Sequence, residues 1–286
     1  MLRLILGIMF IITTNINSMS GSDSVKVGSL DELLKIVKTG NPDSVINLDM
    51  DLLLLGKVPP ELEKFKNIQI LSMNGNLLSE IPEFFSKFKK LTSLSLCGNF
   101  GFDLRKVFET LSKLPCLEKL VLCSDSIKNI PPGIAKLRSL KYLNLGNNQI
   151  VSLPGEVDSL KALRELKCSN NYIDIDSLAV IISLLHSLKI LDLFNCNIVS
   201  FPGKIEYFQS IEELELSGNR IKTIPDNISL LKNLILLVIV HNPLTEISRN
   251  IVNLSKLKYL VISTKNLAPG EKDYLIKNMP HCIIFG

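Results

Sequence analysis

The apolar residues of this chain follow neither a helical period nor a plain strand alternation. They recur as a phrase. Ile68-Gln-Ile-Leu71-Ser-Met73-Asn-Gly-Asn76-Leu-Leu78 leads through Ile81-Pro82, Phe85 and Phe88 to a fresh start at Leu91. Units open in the same way at Val45, Ile68, Leu91, Leu117, Leu140, Leu163, Leu188, Ile211, Leu234 and Leu257. Seven of the nine intervals are 23 residues, and the other two are 26 (Leu91 to Leu117) and 25 (Leu163 to Leu188). A period of that length predicts a solenoid, because one unit has too little core of its own and must bury its apolar side against its neighbours.

Each place in the unit has a physical task. The opening residues alternate as a short strand does, so places 4 and 6 (Leu94 and Leu96 in one unit) point inward while 3, 5 and 7 point outward. Place 9 turns the chain inward and reads Leu53, Asn76, Asn99, Asp125, Asn148, Asn171, Cys196, Asn219, Asn242 and Lys265. An asparagine there satisfies backbone groups that stacking would otherwise bury unpaired. An apolar-Pro step (Ile130-Pro131, Leu153-Pro154, Phe201-Pro202, Ile224-Pro225) then opens the return segment. Proline fixes φ and removes a donor, which suits an irregular or 3₁₀ path. The two long units carry helical spacing instead, from N-caps at Asp103 and Asp176.

The expected fold is an α/β solenoid, a horseshoe with about ten parallel strands on its concave face and 3₁₀ or short helical segments on its convex face. Ser29-Leu-Asp-Glu32 is a capping box opening a helix, so residues 29–44 form an N-terminal cap. The ten units fill 45–267. Residues 268–286 close the other end with a helix from Pro269 to Met279 and a strand from His281 to Phe285. Met-Leu-Arg followed by apolar Leu4 to Ile12 has the form of a secretory signal peptide over residues 1–20, too short to span a bilayer, which takes about twenty apolar residues. Residues 21–28 are a flexible lead. No cysteine precedes Cys97, which excludes a lipid-anchored start, so the expected location is secreted or periplasmic.

Composition narrows the chemistry. A hydrophobic fraction of 46% over 286 residues excludes a disordered chain. Aromatics at 6% with no Trp, and a net charge of only +4, argue against nucleic acid as a partner. Three His and six Cys show no metal-ligand spacing, and no G-x-S-x-G, P-loop or H-E-x-x-H motif occurs. The expectation is a protein without catalysis, cofactor or metal. Cys168 (place 6) and Cys196 (place 9) read as structural, and Cys116 and Cys282 as buried thiols. Cys97 and Cys123 lie side by side at place 7. A disulfide between them is disfavoured, since neighbouring parallel strands rarely offer its geometry, but it stays open.

The unit L-P-x-x-I-x-x-L-x-x-L-x-x-L-x-L-x-x-N-x-L closely resembles the 23-residue repeats of bacterial leucine-rich repeat proteins. The phrases Gly40-Asn-Pro-Asp-Ser-Val-Ile-Asn-Leu-Asp49 and Met279-Pro-His-Cys-Ile-Ile-Phe285 resemble the caps of such proteins exported by spirochaetes. The resemblance implies protein–protein recognition on the concave face, often at a host–microbe surface, and cysteine as the usual substitute for the place-9 asparagine. Relatives with a ubiquitin-ligase or GTPase domain have hundreds of residues that this chain lacks.

Outward places 3, 5 and 7 describe that face. The first units offer Asn47, Asp49, Asp51, Ser72, Asn74, Ser93 and Ser95, and the middle Tyr142, Asn144, Glu165 and Lys167. The character then changes to Ile190, Asp192, Phe194, Glu213, Glu215, Leu236, Val238, Val240, Tyr259 and Val261. Leu234 to Val240 is apolar at every place, so its strand is greasy on both faces, and an exposed apolar patch usually marks an interaction site. These ten residues are the candidate docking surface for a partner protein with apolar and basic groups, such as a host cell-surface or extracellular-matrix protein. Two readings compete: a weak homodimer or self-associating periplasmic scaffold built on the same face, and cover from the chain's own tail.

Overall fold

The computed structural model describes residues 24–286, and the leader expected over 1–20 lies outside them. The strands are β1 (Ser24–Lys26), β2 (Asn47–Asp49), β3 (Ile70–Ser72), β4 (Ser93–Ser95), β5 (Lys119–Val121), β6 (Tyr142–Asn144), β7 (Glu165–Lys167), β8 (Ile190–Asp192), β9 (Glu213–Glu215), β10 (Thr223–Ile224), β11 (Leu236–Ile239), β12 (Glu246–Ile247), β13 (Tyr259–Ile262) and β14 (Ile283–Phe285). All except β10 and β12 form one sheet of 12 parallel strands in chain order. β10 and β12 pair with each other on the return path. Register follows the repeat: Leu71 lies opposite Leu94, and Leu94 opposite Leu120, each with no exposed surface.

The core is a stack of columns. Place 1 residues Ile68, Leu91, Leu140, Leu163, Leu188, Ile211, Leu234 and Leu257 are all buried, and the return segments add Phe65, Phe85, Phe88, Phe108 and Phe208 behind them. A fully buried side chain of this size contributes about 2 kcal/mol. Most return segments are 3₁₀ turns entered from proline, as at Pro59, Pro82, Pro131, Pro154 and Pro225. The long units carry α2 (Leu104–Leu111) and α3 (Ile175–Ile182), while α1 (Leu30–Thr39) and α4 (Glu271–Asn278) cap the ends. Asp103 caps α2 as expected, but the cap of α3 is Asp174, which accepts from the Asp176 N–H and leaves Asp176 in the first turn. In α1 the Ser29 hydroxyl accepts from Glu32 N–H, and the Glu32 carboxylate accepts from Gly28 N–H.

One feature departs from the sequence expectation. Residues 24–26 are no flexible lead: they pair with β2, Ser24 opposite Asn47, and the following Val27 is buried. The edge of β2 would otherwise leave its backbone groups unpaired, and three residues suffice to meet them. At place 8, Gly75, Gly98, Asn147, Asn170, Asn195, Gly218 and His241 all take positive φ. That turn favours Gly or Asn, yet the first unit puts Leu52 there, at φ 62 and 76% exposed.

Asparagine at place 9 forms a continuous ladder. Asn148 Nδ2 donates to Leu122 O (2.8 Å) and Leu145 O (2.9 Å), and its Oδ1 accepts from the N–H groups of Asp125 (3.1 Å) and Ile127 (3.0 Å). Asn76, Asn99, Asn171, Asn219 and Asn242 repeat the pattern of donation to carbonyls of their own or the preceding turn. Cys196 substitutes with its thiol, which reaches Cys168 O at 3.1 Å.

Candidate functional site on the concave face

Neighbouring turns place the outward residues in rows across the sheet. Ile190, Glu213, Leu236, Tyr259 and Ile283 form one row, and Asp192, Glu215, Val238, Val261 and Phe285 the next. Phe194 and Val240 lie just beyond the ends of their strands. The ten candidate residues therefore share four adjacent turns.

Their exposure differs from expectation. Leu236, Val238 and Val261 are only 5%, 2% and 3% exposed, packed against one another and against Val240, Tyr259 and Phe285. The greasy strand is not open to solvent. Side chains on the inner side of a curved sheet converge, and the closing strand β14 brings Phe285 over Val261. The chain's own tail supplies much of the cover. What stays accessible is Phe194, with Ile190, Val240 and Tyr259 half-buried.

The polar half of the site is electrostatically unbalanced. Asp192, Glu213 and Glu215 converge on a cleft of about 40 Å3 lined also by Lys167, Ile190, Leu236 and Val238, and Glu165 lies near enough for its charge to act on Glu213. Lys167 Nζ pairs with Glu165 Oε1 at 3.1 Å and lies 5.7 Å from the Tyr142 ring. Burial pushes Glu213 up to about 7, helped by the charges of Glu165 and Glu212. Burial likewise pushes Glu215 to about 7, against the Ser217 N–H that donates to its Oε1 at 2.6 Å. Burial raises Asp192 too, opposed by the Phe194 N–H and by Lys167. Asp192 and Glu215 are register neighbours, and like charges directly opposite repel.

Sequence reasoning overlooked Lys119, whose Nζ sits 4.7 Å over the Tyr142 ring and whose pKa burial lowers. Counting places 3 and 5 through the 26-residue unit would have found it. The overlooked Phe285 carries no repeat signature. In the first units the polar residues are spoken for: Asp51 Oδ1 accepts from Ser72 Oγ (2.6 Å) and Asn74 N (2.7 Å), and Asn74 Oδ1 from Ser95 Oγ (2.8 Å) and Cys97 N (2.7 Å).

The cysteines bring two corrections. Cys97 and Cys123 are disulfide-bonded, with Cα atoms 4.5 Å apart. Concave-side neighbours of adjacent turns come close enough to reach the short end of the disulfide range, about 4.4–6.8 Å. Cys116 is exposed rather than buried, and Cys282 half-buried. Among the described residues no group of three or more His, Cys, Asp or Glu is arranged to hold a metal ion, and no helix is long and apolar enough to cross a membrane.

Comparison with known proteins agrees with this architecture. Leucine rich repeat family models match residues 115–173 and 210–231. Among curated proteins no sequence matches. Of solved structures, an internalin from Listeria monocytogenes is 23% identical with a TM-score of 0.64, over 85% of this chain and 67% of that one. A second, internalin C2, is 25% identical with a TM-score of 0.55, over 72% and 83%. The ectodomain of the Arabidopsis thaliana receptor kinase GASSHO1/SCHENGEN3 is 21% identical with a TM-score of 0.59, over 84% of this chain but 32% of its own length. With one unit recurring from Val45 to the closing strand and leucine rich repeat models falling on two stretches of it, this chain carries leucine-rich repeats stacked into a solenoid similar in fold to those of the bacterial internalins.

Proposed function

We propose that this chain is an exported recognition protein that holds a partner protein on the C-terminal half of its concave face. The fold suits protein–protein interaction, and the plant ectodomain of the same fold was solved in complex with CASPARIAN STRIP INTEGRITY FACTOR 2. One observation carries the choice of site: Asp192, Glu213 and Glu215 share a half-closed cleft, short of cations, beside accessible Phe194 and half-buried Tyr259. A partner that brings a Lys or Arg side chain into the cleft and an apolar one against Phe194 relieves both deficits. Export is read from the leader-like N-terminus. A host cell-surface or extracellular-matrix partner is read from the likeness to exported spirochaete repeat proteins. The self-associating scaffold loses its main support, because Leu236, Val238 and Val261 are closed over.

The test compares wild type with the double variant Phe194→Ala, Glu213→Lys, each checked for folding by circular dichroism. Both are immobilised against matrix and cell-surface extracts, and retained proteins are identified by mass spectrometry. A protein held by wild type and lost by the variant supports the site. Equal retention, or none, overturns it.

A further inference from the structure

The place-9 ladder contains one residue that does only half of its task. Where consecutive turns carry the asparagine, a place-6 carbonyl can receive two side-chain donors: Leu145 O accepts from Asn148 and Asn171, and Leu216 O from Asn219 and Asn242, whereas Met73 O accepts from Asn99 alone. Asp125 occupies the ladder between Asn99 and Asn148 and is 5% exposed. Its Oδ1 accepts from Asn99 N–H at 2.6 Å, as a ladder amide oxygen does. Its Oδ2 stands in for the amide nitrogen of an asparagine, and it is buried with no hydrogen-bond partner. Correspondingly, Leu96 O receives only Asn99 Nδ2 (2.7 Å) and Leu122 O only Asn148 Nδ2 (2.8 Å). Each lacks the second donor that Leu145 O and Leu216 O have, and an unpaired buried polar atom such as Asp125 Oδ2 is costly.

We infer that Asp125 is held as a neutral carboxylic acid whose Oδ2–H supplies one of the two missing donors, and that its ionisation loosens the contact between the third and fourth turns: a pH-sensitive latch in the solenoid. Titratable neighbours do not supply the missing charge balance. Asp103 and Arg105 from the start of α2, and Lys128 from its own turn, line the open groove that Asp125 borders. On the ladder itself its neighbours Asn99 and Asn148 are neutral, and the Cys97–Cys123 disulfide joins the same two turns without titrating. Burial pushes the Asp125 carboxyl up to about 7, against the N–H groups of Asn99 and Gly98. A folded-state value above the unfolded one, near 3.9, means that the stabilisation is complete below about pH 4 and is lost as pH rises to about 7. The disulfide then keeps the loosened turns together.

The test is Asp125→Asn, which installs the residue that six other turns already carry and should fold. Urea unfolding of wild type and variant is compared from pH 5 to 8.5, with amide exchange followed at Gly98 and Asn99. The folding equilibrium constant of the variant should exceed that of wild type at least tenfold at pH 8, and the gap should narrow toward pH 5. Protection at Gly98 and Asn99 should fall with the wild-type transition, relative to the variant at the same pH. An infrared difference spectrum, wild type minus Asp125→Asn, should show a protonated-carboxyl band at pH 5.5 that is gone at pH 8.5, the carboxyls of Glu213 and Glu215 being common to both proteins and cancelling. Parallel stability curves, or no such band at pH 5.5, overturn the proposal.

Discussion

Glu215→Gln separates what the fold needs on the concave face from what it tolerates. Glu215 is only 8% exposed, and burial holds its carboxyl near 7 in the folded chain. The unfolded value is about 4.3, so keeping the carboxylate ionised at pH 8 costs up to roughly 4 kcal/mol, at about 1.4 kcal/mol per pH unit. Part of that is the charge of Asp192, which titrates in the same field, so Glu215 alone accounts for about 2 kcal/mol. Glutamine keeps the acceptor for Ser217 N–H and removes the charge. The sign is fixed by linkage: with the folded pKa raised, the group's contribution is most favourable below about pH 4 and declines up to about pH 7. The variant should therefore match wild type at pH 4 and gain about 2 kcal/mol at pH 8, a shift of about 1 M in the urea midpoint followed by circular dichroism. A variant no more stable than wild type at pH 8 refutes the burial argument. A gain equal at both pH values shows that packing, not charge, was relieved.

Three further outcomes follow from the same structure. Asn148→Ala removes the partners of two N–H groups and two carbonyls and should cost about 3 kcal/mol or more, measured by urea unfolding, while Asn250→Ala on an exposed return segment should cost far less. Cys97→Ser with Cys123→Ser, or reduction, frees a loop with a sequence separation of 26 residues and should lower stability by about 3 kcal/mol, with mass analysis of the unreduced protein showing one bond lost. Phe285→Ala uncovers Leu236, Val238 and Val261, so sedimentation should detect self-association that the wild-type chain does not show at equal concentration.

The strands and their register were legible because the phrase is periodic: once Leu71 and Leu94 share place 4, their pairing follows. The proline steps announced the 3₁₀ returns for the same local reason. Less was legible where no period speaks. Ser24-Val-Lys26 has no repeat signature, and its strand exists only because β2 presents an edge. Burial of Val238 and Val261 depends on the curvature of the sheet and on Phe285, some 24 to 47 residues downstream, so an apolar outward residue could not be told from an exposed one. The disulfide was disfavoured on the general spacing of parallel strands, whereas the 4.5 Å approach of Cys97 and Cys123 belongs to one particular pair of turns. At the site the residue set was legible from places 3, 5 and 7, but its charge imbalance required knowing that Lys167 is already paired to Glu165.

The two halves of the concave face are built from similar polar residues, and their bonding separates them. Around Asp51, Ser72, Asn74 and Ser95 the side chains close a network on themselves, which makes that half rigid and leaves it little capacity for a ligand. Around Asp192, Glu213 and Glu215 the donors present are one Lys, the Ser217 hydroxyl and two backbone N–H groups, set against apolar walls that raise the cost of each charge. The repeat does not require acids there, since places 3 and 5 carry Ser, Asn, Val or Leu in other turns of the same solenoid. A cost borne at places the fold leaves free is best explained by a partner that repays it on binding. That asymmetry, rather than apolar exposure, is the ground on which the docking surface is proposed there.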